Sequence, residues 1–93
     1  MSAGTRLRIS DGVVVRDLDG ESVILDMDSG IYFGLDRIGT RVWQLIEQHG
    51  TLEEVVRIMQ NEYDVDPQTL RADAEALVAA LIEKRLVVRN GDA

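Results

Sequence analysis

Gly30-Ile31-Tyr32-Phe33-Gly34-Leu35-Asp36-Arg37-Ile38-Gly39-Thr40-Arg41-Val42-Trp43 opens as a strand and closes as a helix. No residue from Ser29 to Leu35 is charged. Ile31, Phe33 and Leu35 alternate with Tyr32 and Gly34, which is the period of a strand with one apolar face. Asp36 then reads as a helix N-cap, because its carboxylate accepts from the free N–H groups of a new first turn. Ile38, Val42, Leu45 and Ile46 recur at helical spacing over about 37–48, with Trp43 beside the stripe. Gly50, after His49, suits a left-handed C-terminal cap. Gly39 lies in the first turn, where glycine costs up to ~1 kcal/mol relative to alanine. A close approach of helix to sheet is the expected reason, ahead of a site for partner backbone.

Toward the N-terminus the signals are strands and turns. Met1 to Arg8 read as a loose tail that firms near Leu7 and Ile9, and Ser10-Asp11-Gly12 is turn chemistry. Val13, Val14 and Val15 are β-branched and suit a strand. Asp19-Gly20 separates them from Val23, Ile24 and Leu25, and Asp-Gly between apolar runs is a hairpin signal because both turn residues need positive φ. Asp28-Ser29-Gly30 makes the next turn. The expectation is an antiparallel meander of three strands whose first and third strands are edges.

Toward the C-terminus the pattern is helical. Thr51 and Glu54 have capping-box spacing, and Val55, Val56, Met59 and Tyr63 mark a short second helix. Asp66 as N-cap with Pro67 at the first helical position starts a third. It is expected over about 67–84, with Leu70, Ala74, Leu77, Val78, Leu81 and Ile82 on a 3.6-residue period. Leu86, Val87 and Val88 form a short closing strand or extended tail. The fold class is therefore α+β, a three-stranded antiparallel β-meander followed by three α-helices. The tight second and third helices give it a winged-helix-like character. One domain is expected over 1–93, with an ordered core of about 7–89.

Composition narrows the function. The chain has 93 residues, 45% hydrophobic and 29% charged, with a formal net charge of −7. That size leaves little room for a deep enclosed active site. The acidity disfavours nucleic acid and anionic membrane surfaces as partners. There is no apolar run long enough to span a bilayer and no apolar signal-peptide core, so a cytoplasmic protein is the expectation. Absence of cysteine removes disulfides, thiolate metal sites and cysteine nucleophiles together. His49 is the lone histidine and sits at a helix end, where an interaction with the helix C-terminus explains it. Neither catalysis nor a metal site is expected, and no cofactor. Asp17, Asp19, Glu21, Asp26 and Asp28 match no calcium-loop spacing and read as a solvated hairpin. The third helix sets Arg71 and Lys84 against Asp73, Glu75 and Glu83, which gives no positive face for DNA.

The anomaly is the third strand. Natural proteins blunt an apolar edge with charge, proline or a cover, and Ser29 to Leu35 shows none. Either the edge receives a strand from a partner peptide, or the segment Leu86 to Arg89 or a second copy covers it. For peptide addition the candidate residues are Gly30, Ile31, Tyr32, Phe33, Gly34 and Leu35, with the backbone of Ile31, Tyr32 and Phe33 making the ladder. Arg71, Asp73, Ala74, Leu77 and Val78 of the third helix are candidates for the other wall, although apolar residues among them also suit plain core.

Ile24-Leu25-Asp26, then Gly30 through Asp36, Ile38-Gly39-Thr40-Arg41-Val42-Trp43 and Tyr63-Asp64-Val65-Asp66 together resemble the PqqD-like family. Its members are peptide-recognition domains of pathways that modify ribosomally made peptides. The Tyr-Phe-x-Leu strand and Gly-x-x-x-Trp helix look most like the lasso-peptide branch, over about residues 12–88. Asp36 stands where many members have Asn, a chemically equivalent cap. The resemblance implies a leader segment of a precursor peptide added along Gly30 to Leu35 and lying against about Leu70 to Leu81. It implies no catalysis. The partners it implies are the precursor leader and a leader peptidase, with a cyclase in lasso pathways. In the pyrroloquinoline quinone pathway the partner is a radical S-adenosylmethionine enzyme. A winged-helix regulator and an edge-paired structural dimer are the rival readings. The expected state is monomer or weak homodimer, with no nucleic acid and no membrane as partner.

Overall fold

The computed structural model describes residues 5–90. Element order is β1 (Arg6–Ile9), β2 (Val13–Leu18), β3 (Glu21–Asp26), β4 (Tyr32–Leu35), α1 (Arg37–His49), α2 (Leu52–Glu62), α3 (Pro67–Glu83) and β5 (Val87–Asn90). The α+β class is as expected: a meander in the order β2-β3-β4, then three helices. A terminal strand pair is added to it. The loose tail expected over Met1 to Arg8 is corrected at Arg6, where β1 begins, and its first part, 1–4, lies outside the described residues. β1 pairs antiparallel with β5, Leu7 opposite Arg89 and Ile9 opposite Val87. The closing segment therefore does not cover β4. The third strand begins at Tyr32 rather than Ile31, and the third helix ends at Glu83 rather than Lys84.

The local signals work as their chemistry predicts. Asp19 and Gly20 have φ of 59° and 90° in the β2–β3 turn, the left-handed pair that a two-residue hairpin loop needs. Asp36 accepts the Gly39 N–H at 2.7 Å, and Gly50 closes α1 with φ of 72°. Thr51 accepts the Glu54 N–H at 3.2 Å, but the Glu54 carboxylate bonds Arg57 instead of returning to complete a capping box. Asp66 accepts the Thr69 N–H at 3.1 Å with Pro67 following. The end of α3 carried no sequence signal: Arg85 takes φ of 62°, and the Leu86 N–H reaches the Leu81 carbonyl at 2.9 Å. This bond pattern ordinarily recruits glycine.

The core lies between the meander's inner face and the helices. Ile24 and Leu35 from the sheet are buried with Val42, Trp43, Leu45 and Ile46 of α1, Leu52, Val55 and Met59 of α2, and Val78 and Leu81 of α3. Leu86 and Val87 are fully buried, so the terminal strand pair completes this core. The Ser22 and Thr40 hydroxyls bond each other at 2.9 Å where the sheet meets α1. The Trp43 Nε1–H is buried without a hydrogen-bond partner among the described residues. Leaving it so costs about 1–3 kcal/mol. Burying an indole's 150–250 Å² at about 25 cal/mol per Å² returns roughly 4–6 kcal/mol, which decides the outcome.

Candidate functional site

β4 pairs with β3 on one side, and no described strand lies on the other. Which backbone groups point outward follows from the register. The Asp26 N–H donates to the Ile31 carbonyl at 2.9 Å, and Ile24 stands opposite Phe33, Leu25 opposite Tyr32. Hydrogen-bonded and non-bonded pairs alternate in an antiparallel ladder. The main chain of Phe33 and Leu35 therefore faces β3 with the Ile31 carbonyl, and that of Tyr32 and Gly34 faces the open edge. This redistributes the roles expected of Ile31, Tyr32 and Phe33: Tyr32 is free and the other two are engaged. The Ile31 N–H takes the Ser29 hydroxyl as acceptor at 3.2 Å. Gly30 belongs to the turn, with φ of 76° and its N–H on the Asp26 carbonyl at 2.8 Å.

Beside this edge runs a groove. Phe33, Gly34 and Leu35 of β4, Ile38 and Gly39 of α1, and Asp73 and Leu77 of α3 line a cavity of about 420 Å³. A second, narrower cavity of about 160 Å³ opens between the three helices, walled by Val42, Met59, Tyr63, Val65, Thr69, Leu70 and Ala74. Ile38, Asp73 and Leu77 line both, so the two are neighbours across that trio. Of the helix residues singled out in sequence, Leu70, Asp73, Ala74 and Leu77 stand at these cavities. Arg71 lines neither and pairs with Glu75 at 3.2 Å. Val78 and Leu81 are fully buried and support the wall from behind. Gly30 and Ile31, in the turn before β4, and Tyr32, at its start, lie outside the cavity lining, and Tyr32 is 73% exposed.

Sequence reasoning missed Ile38, Val42, Met59, Tyr63, Val65 and Thr69 as cavity residues. Most had been assigned to core stripes, which is where helical period places them. The available signal was Val65, an apolar residue between Asp64 and Asp66 with no place on any stripe; it is 48% exposed. At the end of α2 the Arg41 guanidinium grips Glu62, Nε to Oε1 at 2.8 Å, tying α1 to α2. That bond holds the Glu62 carboxyl below the usual carboxylate range and raises Arg41. No group of three His, Cys, Asp or Glu side chains among the described residues is placed to hold a metal ion. No described helix is long and apolar enough to cross a membrane.

This geometry has counterparts among known proteins. Residues 21–87 match the family described as coenzyme PQQ synthesis protein D (PqqD). A bifunctional coenzyme PQQ synthesis protein C/D of Methylorubrum extorquens is 32% identical over 57 residues, 61% of this chain and 15% of that protein. The match thus spans a small part of that relative's length. Among solved structures, TbiB1 in complex with the TbiA(beta) leader peptide superposes with a TM-score of 0.81 at 41% identity, covering 92% of this chain and 98% of that one. Lasso peptide synthetase B1 complexed with the leader peptide gives 0.80 at 25% identity, covering 89% and 98%.

Proposed function

The chain belongs to the PqqD family, and we propose on that footing that it binds the leader segment of a ribosomally made precursor peptide. The observation that carries this reading is the unpaired edge of β4 lying beside an apolar groove. An added strand takes its main-chain hydrogen bonds from Tyr32 and Gly34. Its alternate side chains fall toward Phe33, Leu35, Ile38 and Leu77, where apolar burial supplies affinity and shape supplies selection. The described residues act as one recognition unit without catalysis and hand the bound peptide to a separate maturation enzyme. The likeness to lasso peptide synthetase B1 favours a lasso pathway with a leader peptidase as that enzyme. The relationship to coenzyme PQQ synthesis proteins supports the second reading, a peptide chaperone for a radical S-adenosylmethionine enzyme.

The test is fluorescence anisotropy with labelled leader peptides: the TbiA(beta) leader, and the leader of any precursor peptide found encoded beside this gene. Saturable binding by a leader and none by its core peptide is the expected result. Tyr32→Pro removes an outward N–H while leaving the β3–β4 ladder intact, since proline is tolerated where the N–H faces solvent. It is expected to weaken binding by about two- to tenfold, the net worth of one hydrogen bond. Wild-type affinity in a folded Tyr32→Pro variant, or no binding of either leader, overturns the reading.

A further inference from the structure

Two cavities meet at Asp73, and both are otherwise apolar or already satisfied. In the narrower one Asp73 is the sole charged residue of the lining. In the groove beside β4 the charged residues are Asp36 and Asp73, with no Lys or Arg. The Asp36 carboxylate is committed to the α1 cap. Asp73 takes part in none of the ion pairs or side-chain hydrogen bonds among the described residues, and the basic residue two positions before it, Arg71, is paired with Glu75. Asp73 is exposed, so water satisfies its carboxylate in the free protein, and it stands on the wall that a bound strand would cover. Covering it strips its water, and a carboxylate taken from water without a partner is strongly disfavoured. Walls of low dielectric around charge of one sign also concentrate its field in the cleft.

Resting on the leader-binding reading above, we propose that Asp73 is a specificity-determining residue. It makes the groove select leader segments that carry a lysine or arginine side chain on the α3-facing side of the added strand. Phe33, Ile38 and Leu77 hold the apolar neighbours of that cation, and Asp73 supplies the acceptor. A peptide with a neutral residue there leaves the carboxylate covered and unpaired, and one with Glu adds repulsion. The selection acts on top of main-chain pairing, which is indifferent to side-chain charge.

The experiment uses the full chain and labelled TbiA(beta) leader peptide in which each position is replaced in turn by Lys, Gln and Glu. Dissociation constants are measured for wild type, Asp73→Asn and Asp73→Lys. One position is expected to favour Lys over Gln by about three- to tenfold in wild type, the range between an exposed and a desolvated charge pair. Asp73→Asn should remove that preference, and Asp73→Lys should invert it in favour of Glu. If the peptides bind and no position shows a lysine preference that Asp73→Asn abolishes, the proposal falls while leader binding stands. If no peptide in the set binds wild type, the leader reading and this proposal fall together.

Discussion

Asp36 and Gly39 show how much one turn of chain decides. The Asp36 carboxylate takes the Gly39 N–H at 2.7 Å exactly where β4 becomes α1. A Cβ added at Gly39 would lie 3.1 Å from Leu35 Cδ2 and 3.3 Å from Asp36 Oδ1. The glycine thus lets the helix start directly against the sheet, as its cost in helix propensity implied. Gly39→Val is expected to lose about 1–3 kcal/mol in urea unfolding, because the branched side chain meets Leu35 and the cap at once. Asp36→Ala is expected to lose about 0.5–2 kcal/mol by freeing the capped N–H. An unchanged urea midpoint for Gly39→Val would mean that the junction is looser than these distances imply. At this scale the sequence was legible, since caps and turn glycines act over three or four residues. Arg85 was not legible, because nothing in a surface arginine announces a left-handed backbone; the terminal strand pair imposes it.

The elements were predicted mostly in the right places, the β2-β3-β4 meander among them, but the pairing of β1 with β5 and the packing between helices were not. Helical period assigned Met59, Tyr63 and Val42 to one side of their helices, and the structure agrees for Met59 and Val42, while Tyr63 is the extended residue that caps α2. The period could not say that these sides diverge to leave a cavity of about 160 Å³. The Arg41–Glu62 clamp from α1 to α2 is equally invisible in sequence, since its partners are 21 residues apart. The clamp makes a pH-dependent contribution whose sign is set by the lowered Glu62 carboxyl. That contribution is complete above the unfolded glutamate value of about 4.3 and is lost as pH falls through the lower folded value. Glu62→Gln is therefore expected to be less stable than wild type by roughly 0.2–1 kcal/mol at neutral pH. The difference should close as the medium is acidified below about pH 4. Urea unfolding of both proteins across that range checks it, and a gap that widens on acidification would contradict the assigned sign.

Across the whole molecule, the ends of the described chain meet in one strand pair that seals the core. Leu86 and Val87 are fully buried, and the Leu7 N–H bonds the Gly50 carbonyl at 2.7 Å. Leu86→Ala is expected to cost about 2–5 kcal/mol in urea unfolding, the range for an aliphatic residue cut back in a packed core. A loss under ~1 kcal/mol would make the pair peripheral. Because β5 is engaged with β1, β4 keeps its open side, and the groove with it. By itself the sequence determined the meander and the order of the three helices after it, their N-caps and the hairpin turns, the absence of cysteine chemistry and the unblunted edge from Ser29 to Leu35, but not β1 or the end of α3. These follow from period, backbone preference and residue chemistry, which act between near neighbours along the chain. Only the tertiary structure decided that Tyr32 and Gly34 face outward, that Val78 and Leu81 lie behind the wall, and that Asp73 stands unpaired between two cavities. Strand register and helix placement set those facts, and both depend on contacts between residues far apart in sequence.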